Sequence, residues 1–427
     1  VSAVLTLLLG RAGTGKTNAI LSRLGEDAKS RPQLLIVPEQ YSHDTERRLC
    51  KALGNAGARR AEVLSFTRLY SRVCDRAGGG ARPCLDAGGR LLLMRAAVKE
   101  VGESLTVYRN PSRKSAFLTS LIATADECKS YRVAPEQLLE AGEILGGLEG
   151  DKLRDLGLIF GAYDALTARV AADPRDRLTR LAEAIAACGW PSGHGIWVDG
   201  FTDFTPQEAL VLQRLLEGGN DLTVALTCDS LDGEDDDIFA PARRTAHTLL
   251  RLAKEARVQS NIEILNETGG RAPALLHLEE NLFPRPGRAW EGDCPEIEIF
   301  AADSLRSEVE YAAATILKLV REEGWRFRDF AVAARNFDAY ADQVESVFAL
   351  YGVPVFLSTV TDILEKPVLT LITAALDTVS GGYQYEDLFR YLKTGLTDLT
   401  DAERDRLENY TITWDLRGSR WTQKADW

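Results

Sequence analysis

The chain of 427 residues carries 51 Lys and Arg against 63 Asp and Glu, a net charge of −12, and 45% of it is hydrophobic. That composition supplies cores for roughly two to three domains and excludes adhesion to nucleic acid through bulk positive charge, so any such contact needs a local basic surface. Seven cysteines without a Cys-x-x-Cys pair and four histidines without metal-ligand spacing point to reduced thiols in a cytoplasmic setting and to no structural zinc.

Residues 4–9 form an apolar run, interrupted only by Thr6, that reads as a buried parallel strand. It is too short for a membrane span and has no basic leader, so no membrane is expected as a partner. It runs into Gly10-Arg11-Ala12-Gly13-Thr14-Gly15-Lys16-Thr17, which fits the phosphate-cradling pattern G-x-x-x-x-G-K-[ST] at every position, and residues 18–24 continue at helical spacing. Strand, loop and helix in that order predict a nucleoside triphosphate site. Gly10, Gly13, Thr14 and Gly15 belong to the loop whose N–H groups turn toward phosphate, Lys16 reaches the outer phosphates, and Thr17 offers a hydroxyl to Mg²⁺. The cofactors expected are ATP and Mg²⁺.

Two further apolar runs, 34–37 and 63–66, alternate with helical segments, which predicts an α/β fold with a parallel sheet and helices on its faces. From about Leu69 to about Cys188 strand signals stop. Amphipathic spacing such as Leu153, Leu156, Phe160 and Tyr163 predicts a helical insertion there. Strand character returns at 196–198, ending on Asp199, and at 222–226. A Pro- and Gly-bearing stretch from Phe283 to Gly292, including Pro284 and Pro286, reads as a linker. A second α/β unit is expected after it, with strands at 297–300, 330–334 and 353–356, a helix carrying Val309, Ala313, Ile316 and Val320, and another over about 339–350. Beyond about Tyr383 the chain is helical and polar with no closing strand, so it is expected to be part of a longer protein. The divisions expected are 1–68 and 189–290 for the first sheet domain, 69–188 for the insertion, 291–382 for the start of the second domain and 383–427 for a further helical insertion. The tracts Gly78-Gly79-Gly80 and Asp235-Asp236-Asp237 read as solvated loops.

A phosphate loop works with an acidic residue at the end of a neighbouring strand, which holds Mg²⁺, and in hydrolases with an adjacent Glu that activates water. Asp199 fits the first role. Gly200 stands where the Glu would be, so the site is equipped to bind ATP·Mg²⁺ and poorly equipped to split it. Asp203, Gln207 and Glu208 are near enough in sequence for one of them to substitute, although Asp203 ahead of Pro206 reads first as a loop carboxylate or helix cap. Arg335 follows an expected strand of the second unit, where an arginine can either stabilise γ-phosphate charge or occupy a surface loop.

Four segments, GRAGTGKT, VPEQYSHDTERRL, LSFTRLYSRV and WVDGFTDFTPQEALVL, with VAARNFDAYADQVESVFALYGVPVF further on, together resemble the B subunit of the AddAB-type helicase-nuclease, also called RexB, within the UvrD-like helicase superfamily. The resemblance implies a RecA-like first domain interrupted by helices and the start of a second RecA-like domain. It also implies an A subunit as heterodimer partner and main motor. The pair would unwind and degrade broken duplex ends for recombinational repair while scanning the emerging single-stranded DNA for a hotspot. By motif, Gly15, Lys16 and Thr17 match the triphosphate site, Asp199 the Mg²⁺ position and Arg335 the second-domain arginine facing nucleotide. Gln40, Ser42, Phe66, Arg68 and Phe201 fall in segments lining the single-strand channel of such helicases, where rings stack bases and arginines track phosphate. For Phe66 and Phe201, packing in the core is an equal alternative. Arg47, Arg48, Arg72 and the segment from Arg109 to Lys114 are further candidates for a basic surface. Gly200, and the lack of a Gln at 227–229, depart from active helicases. The nuclease and a cysteine-ligated iron–sulfur cluster are expected beyond Trp427, in the full-length parent alone. The reading is an ATP-binding, DNA-guiding portion that is weak or inactive as a motor, with an active translocase as alternative. A small-molecule kinase is disfavoured by the long insertion and second lobe.

Overall fold

Runs rich in Leu, Ile and Val build a six-stranded, all-parallel sheet in the computed structural model: β1 (Val4–Gly10), β2 (Gln33–Ile36), β3 (Ala61–Leu64), β4 (Gly195–Val198), β5 (Asp221–Thr227) and β6 (Gln259–Ile264), in spatial order β3-β2-β4-β5-β1-β6. The structure describes residues 3–77, 83–109, 115–233, 237–267, 269–283, 287–357 and 363–424. The tract Gly78 to Gly80, residues 110–114 of the basic segment, Asp235, Asp236, Pro284, Pro286 and Trp427 lie outside the described residues.

Side chains alternate between the two faces, and both faces are covered by helices, as a parallel sheet requires. Leu5, Leu7, Leu9, Ile36, Val198, Val224 and Leu226 pack on one face against α3 (Phe66–Ala77), α8 (Arg177–Cys188), α9 (Pro206–Glu217) and α10 (Ala240–Glu255). Leu8, Leu35, Trp197 and Ala225 pack on the other against Ile20 and Leu24 of α1 (Lys16–Asp27) and Leu49 of α2 (Ser42–Ala58). The α/β fold is that of a RecA-like domain. β6 escapes the apolar-run reading because it is an exposed edge strand of sequence QSNIEI; it pairs with β1 through Leu7 opposite Ile262.

Four helices, α4 (Ala87–Val101), α5 (Ser115–Ser130), α6 (Pro135–Leu145) and α7 (Gly147–Val170), hold a separate core around Met94, Leu118, Leu121, Ile159, Phe160 and Tyr163. Leu69 and Val73 of α3 and Leu181 and Ile185 of α8 belong instead to the sheet's core. Within 69–188, the stretch with its own core is therefore α4 to α7. Apart from Thr167 Oγ1, which is buried without a partner among the described residues, its interior polar groups are tied into a network. The Tyr163 hydroxyl donates to Asp173 (3.0 Å) and accepts from Arg90 Nε (3.2 Å), while Lys129 Nζ reaches Asp164 (2.9 Å) and Asp176 (2.8 Å). The buried carboxylate of Asp155 accepts from the N–H groups of Thr106 (3.0 Å), Val107 (2.8 Å) and Tyr108 (2.9 Å).

The chain divides into two units, residues 1–296 and 297–427. In the second, α12 (Leu305–Glu322) and α13 (Ala341–Tyr351) share a core of Val309, Ala313, Ile316, Val344, Val347 and Phe348. They are followed by α14 (Pro367–Ser380), α15 (Tyr385–Leu392) and α16 (Asp401–Thr413). The segments expected as strands at 297–300, 330–334 and 353–356 carry no ladder pairing among the described residues. Phe330 and Val353 pack against the α12–α13 core, whereas Ile299, Phe300, Val332 and Phe356 are exposed; a strand also needs neighbours for its N–H and C=O groups, which local sequence cannot supply. No helix among the described residues is long and apolar enough to cross a membrane.

Candidate nucleotide site

The first loop closes between the end of β1 and the start of α1, with Gly13 at φ 76° and Gly15 at φ 82°, conformations that suit a residue lacking Cβ. The new helix begins at Lys16 and points its free N–H groups at the loop. A cavity of about 440 Å³ opens over it, and among its lining residues are Lys16, Thr17, Asp199, Gly200, Phe201 and Thr227. The cavity lies at the carboxyl ends of the strands, where open parallel sheets bind ligands.

Topology brings the distant halves together. β4 resumes the sheet after the insertion, separated from β1 only by β5, and delivers Asp199 to the loop. Thr17 Oγ1 donates to Asp199 Oδ2 at 2.7 Å, so a hydroxyl and a carboxylate converge as the hard oxygen donors that Mg²⁺ takes. Lys16 Nζ donates to Gly10 O (2.6 Å) and Arg11 O (2.7 Å), folded onto its own loop. Burial pushes this ammonium below its ordinary pKa, and the carboxylates of Asp199 and Glu279 act against that shift. A phosphate oxygen is the natural acceptor for such a half-desolvated cation.

Gly200 has φ 84°, and its N–H donates to Asp199 Oδ1 (2.9 Å). A Cβ there would lie 3.2 Å from Pro38 Cδ and 3.7 Å from the Tyr41 ring. The position is thus a glycine position in backbone as well as in name. Of the three polar neighbours weighed as substitute bases, Glu208 and Gln207 are otherwise engaged. Glu208 forms a capping box with Thr205, accepting from Thr205 N at 2.9 Å, while Gln207 is buried and its amide donates to Arg175 O (3.0 Å). Asp203 lines a different cavity of about 230 Å³ beside Arg244.

The sequence reading missed a second group of residues that flanks the loop. Arg271, between β6 and α11 (Pro273–Asn281), donates to Ala12 O (2.8 Å) and pairs with Glu279 (2.5 Å); its guanidinium would lie 3.3 Å from a Cβ on Gly13. Arg11 pairs with Asp229 (3.0 Å), and Glu267 Oε2 lies 3.7 Å from where a Cβ on Gly15 would sit. The available signal was Gly269-Gly270-Arg271 after an edge strand, legible only once β6 was known to lie beside β1.

The residues assigned to a single-strand channel separate. Gln40 and Arg68 are exposed, with Arg68 paired to Glu46 (2.6 Å). Phe66 is 6% exposed and packs in the sheet's core, edge-on to Phe201 at 5.6 Å, so it offers no ring face for a base and takes the core alternative. Phe201 is half-buried and lines the cavity. Ser42 is buried, with no partner for its Oγ among the described residues, so it presents no hydroxyl to a ligand. Of the other basic candidates, Arg48 pairs with Asp44 (2.8 Å) and Arg72 with Glu62 (2.8 Å), which blunts a positive surface there. Arg335 is exposed in the second unit.

Residues 7–279 match the family model described as ADDB, N-terminal. The chain is 38% identical over 441 residues to the B subunit of the ATP-dependent helicase/deoxyribonuclease of Desulforudis audaxviator, 36% over 443 residues to that of Heliobacterium modesticaldum, and 33% over 435 residues to that of Acetivibrio thermocellus. Each alignment covers 99% of this chain and 38%, 36% and 38% of the relative, respectively, so the chain spans little more than a third of their length. With a matched phosphate loop, an aspartate brought to it across the sheet and kinship along nearly all its residues, the chain belongs to the family of ATP-dependent helicase/deoxyribonuclease B subunits and corresponds to its ADDB N-terminal region.

Proposed function

We propose that this chain binds ATP·Mg²⁺ between Lys16 and Asp199 and guides single-stranded DNA as part of a two-subunit helicase-exonuclease that processes double-strand breaks for recombinational repair, with little ATP turnover at this site. The observation that carries the reading is the 2.7 Å contact of Thr17 with Asp199 inside the cavity above the Lys16 loop. In this reading Lys16 leaves Gly10 O and Arg11 O for phosphate oxygens, Thr17 and Asp199 hold the metal, and Arg271 steadies the loop from its far side. Bound Mg²⁺ would neutralise phosphate charge. Retention of nucleotide without rapid loss of the γ-phosphate follows from Gly200, which places no carboxylate beside Asp199. Gln40, Arg68 and Phe201 are proposed to meet the strand, with Phe66 supporting Phe201 from beneath. Arg335 is proposed as a further residue that stabilises phosphate charge. The relatives' designation as B subunits supports a companion subunit.

Binding of a fluorescent ATP analogue with Mg²⁺ tests this. Wild type should bind and Lys16→Ala should lose at least tenfold in affinity; a wild-type protein that does not bind the analogue refutes the proposal. The alternative, an active ATP-driven translocase, has one feature in its favour, the Glu267 carboxylate beside Gly15. It requires DNA-stimulated hydrolysis that falls in Glu267→Gln while nucleotide binding is retained.

A further inference from the structure

The α6–α7 hairpin of the helical insertion ends in solvent on three aliphatic side chains: Ile144 is 85% exposed, Leu145 63% and Leu148 62%. Chain reversal does not need them. The turn is made by Gly146 and Gly147, at φ 63° and 59°. Below it the two helices touch backbone to backbone, since a Cβ on Gly142 would lie 2.8 Å from Gly150 O. So close an approach leaves no room for side chains to slide between the helices, and the tip is carried at a fixed height by two packed rods. Aliphatics at a polar turn weaken solubility, and these three join none of the cores formed by the described residues.

The surroundings of the tip indicate what covers it. From Ala134 to Asp151 the chain carries Glu136, Glu140, Glu143, Glu149 and Asp151 and no Lys or Arg. The first basic residue is Lys152, which pairs with Glu149 at 2.8 Å. A greasy knob inside an acidic collar repels nucleic-acid phosphate and anionic lipid, and it complements a protein recess that is apolar at its floor and rimmed by Lys and Arg. We propose that the Ile144–Leu145–Leu148 tip docks into such a basic-rimmed recess on the companion subunit of the assembly. This rests on the reading that the chain is one subunit of a two-subunit enzyme.

The test uses the full-length protein and the companion subunit from the same genome, with affinity measured by biolayer interferometry. Ile144→Asp combined with Leu148→Asp should weaken association at least tenfold while leaving helical content, melting temperature and ATP-analogue binding unchanged, because all three side chains lie outside every core. Glu143→Lys combined with Glu149→Lys should weaken association at low salt and remove most of its salt dependence. If wild type forms no complex, the two-subunit reading fails and the docking proposal fails with it. If the complex forms and the tip variants bind as wild type does, the docking proposal alone is overturned. It is also overturned if the tip variants abolish self-association of wild type in sedimentation, which would make a second copy the occupant, or if they reduce binding of duplex DNA, which would make DNA the occupant.

Discussion

Replacing Gly200 by Glu supplies the carboxylate that a hydrolytic site carries next to its metal-binding aspartate, and the structure predicts that it does not restore turnover. At φ 84° any residue with a Cβ is strained, at about 1–2 kcal/mol for the left-handed region. The added Cβ also meets Pro38 Cδ at 3.2 Å, tighter than ordinary contact. The cheap escape is a backbone flip, which removes the N–H of residue 200 from Asp199 Oδ1 and frees that carboxylate to rotate away from Thr17. Gly200→Ala isolates the backbone cost from the effect of the new charge. Both variants should melt roughly 2–8 °C below wild type, from about 2–4 °C per kcal/mol in a domain of this size. Scanning fluorimetry reads the melting point and phosphate release reads turnover. A Gly200→Glu protein that melts with wild type and releases phosphate faster would refute the reasoning, because the carboxylate would then have been accommodated without strain.

Arg271→Ala should weaken ATP-analogue binding about tenfold, close to the 1.5–3 kcal/mol of a charge-assisted hydrogen bond after partial replacement by water, and Arg271→Lys should recover only part of it; unchanged titrations would remove Arg271 from the site. Phe66→Ala should cost about 3–5 kcal/mol of stability as a buried aromatic, whereas Phe201→Ala should keep most of the stability and weaken single-stranded DNA binding by about 1–3 kcal/mol; the opposite pattern in denaturation and anisotropy would reverse their roles. Asp155→Ala leaves three inward N–H groups of the 106–108 turn without their acceptor and should destabilise the helical insertion by about 2–4 kcal/mol in urea unfolding. Burial alone would raise the Asp173 carboxyl, but the Arg175 N–H, Lys129 and Arg90 outweigh it and hold it below its ordinary 3.8. Its stabilisation is therefore complete above that pH and disappears as pH falls through the lowered value. A stability gap between wild type and Asp173→Asn that persisted at lower pH would contradict this.

The phosphate loop, five of the six strands and the helical nature of the insertion were legible in the sequence because each leaves a local mark: a fixed spacing of glycines, an apolar run, a 3.6-residue period. The pairing of Asp199 with Thr17 could be anticipated from the motif, since Asp199 follows the end of β4 and Thr17 lies in the first turn of the helix after the phosphate loop. β6 was hidden because an edge strand buries little and is written in polar residues, and Arg271 was hidden with it. Phe66 could not be assigned from its neighbours in sequence, because a ring at the top of a helix faces core or solvent according to what packs beside it, here Phe201. The apolar segments at 297–300, 330–334 and 353–356 show the converse. They were expected as strands from composition, yet strand pairing is a property of partners and not of the segment, and Ile299 and Phe356 are largely exposed.

The order in which the sheet is assembled has a consequence for the protein's synthesis. β1 is flanked by β5 and β6, with Leu5 opposite Leu222 and Ser260, so this strand waits more than two hundred residues for either neighbour. At a synthesis rate of about 5–20 residues per second that delay is roughly 10–40 s. During that interval the leucines of β1 lack their ladder, and the nascent chain is a natural client for holding chaperones until β5 emerges.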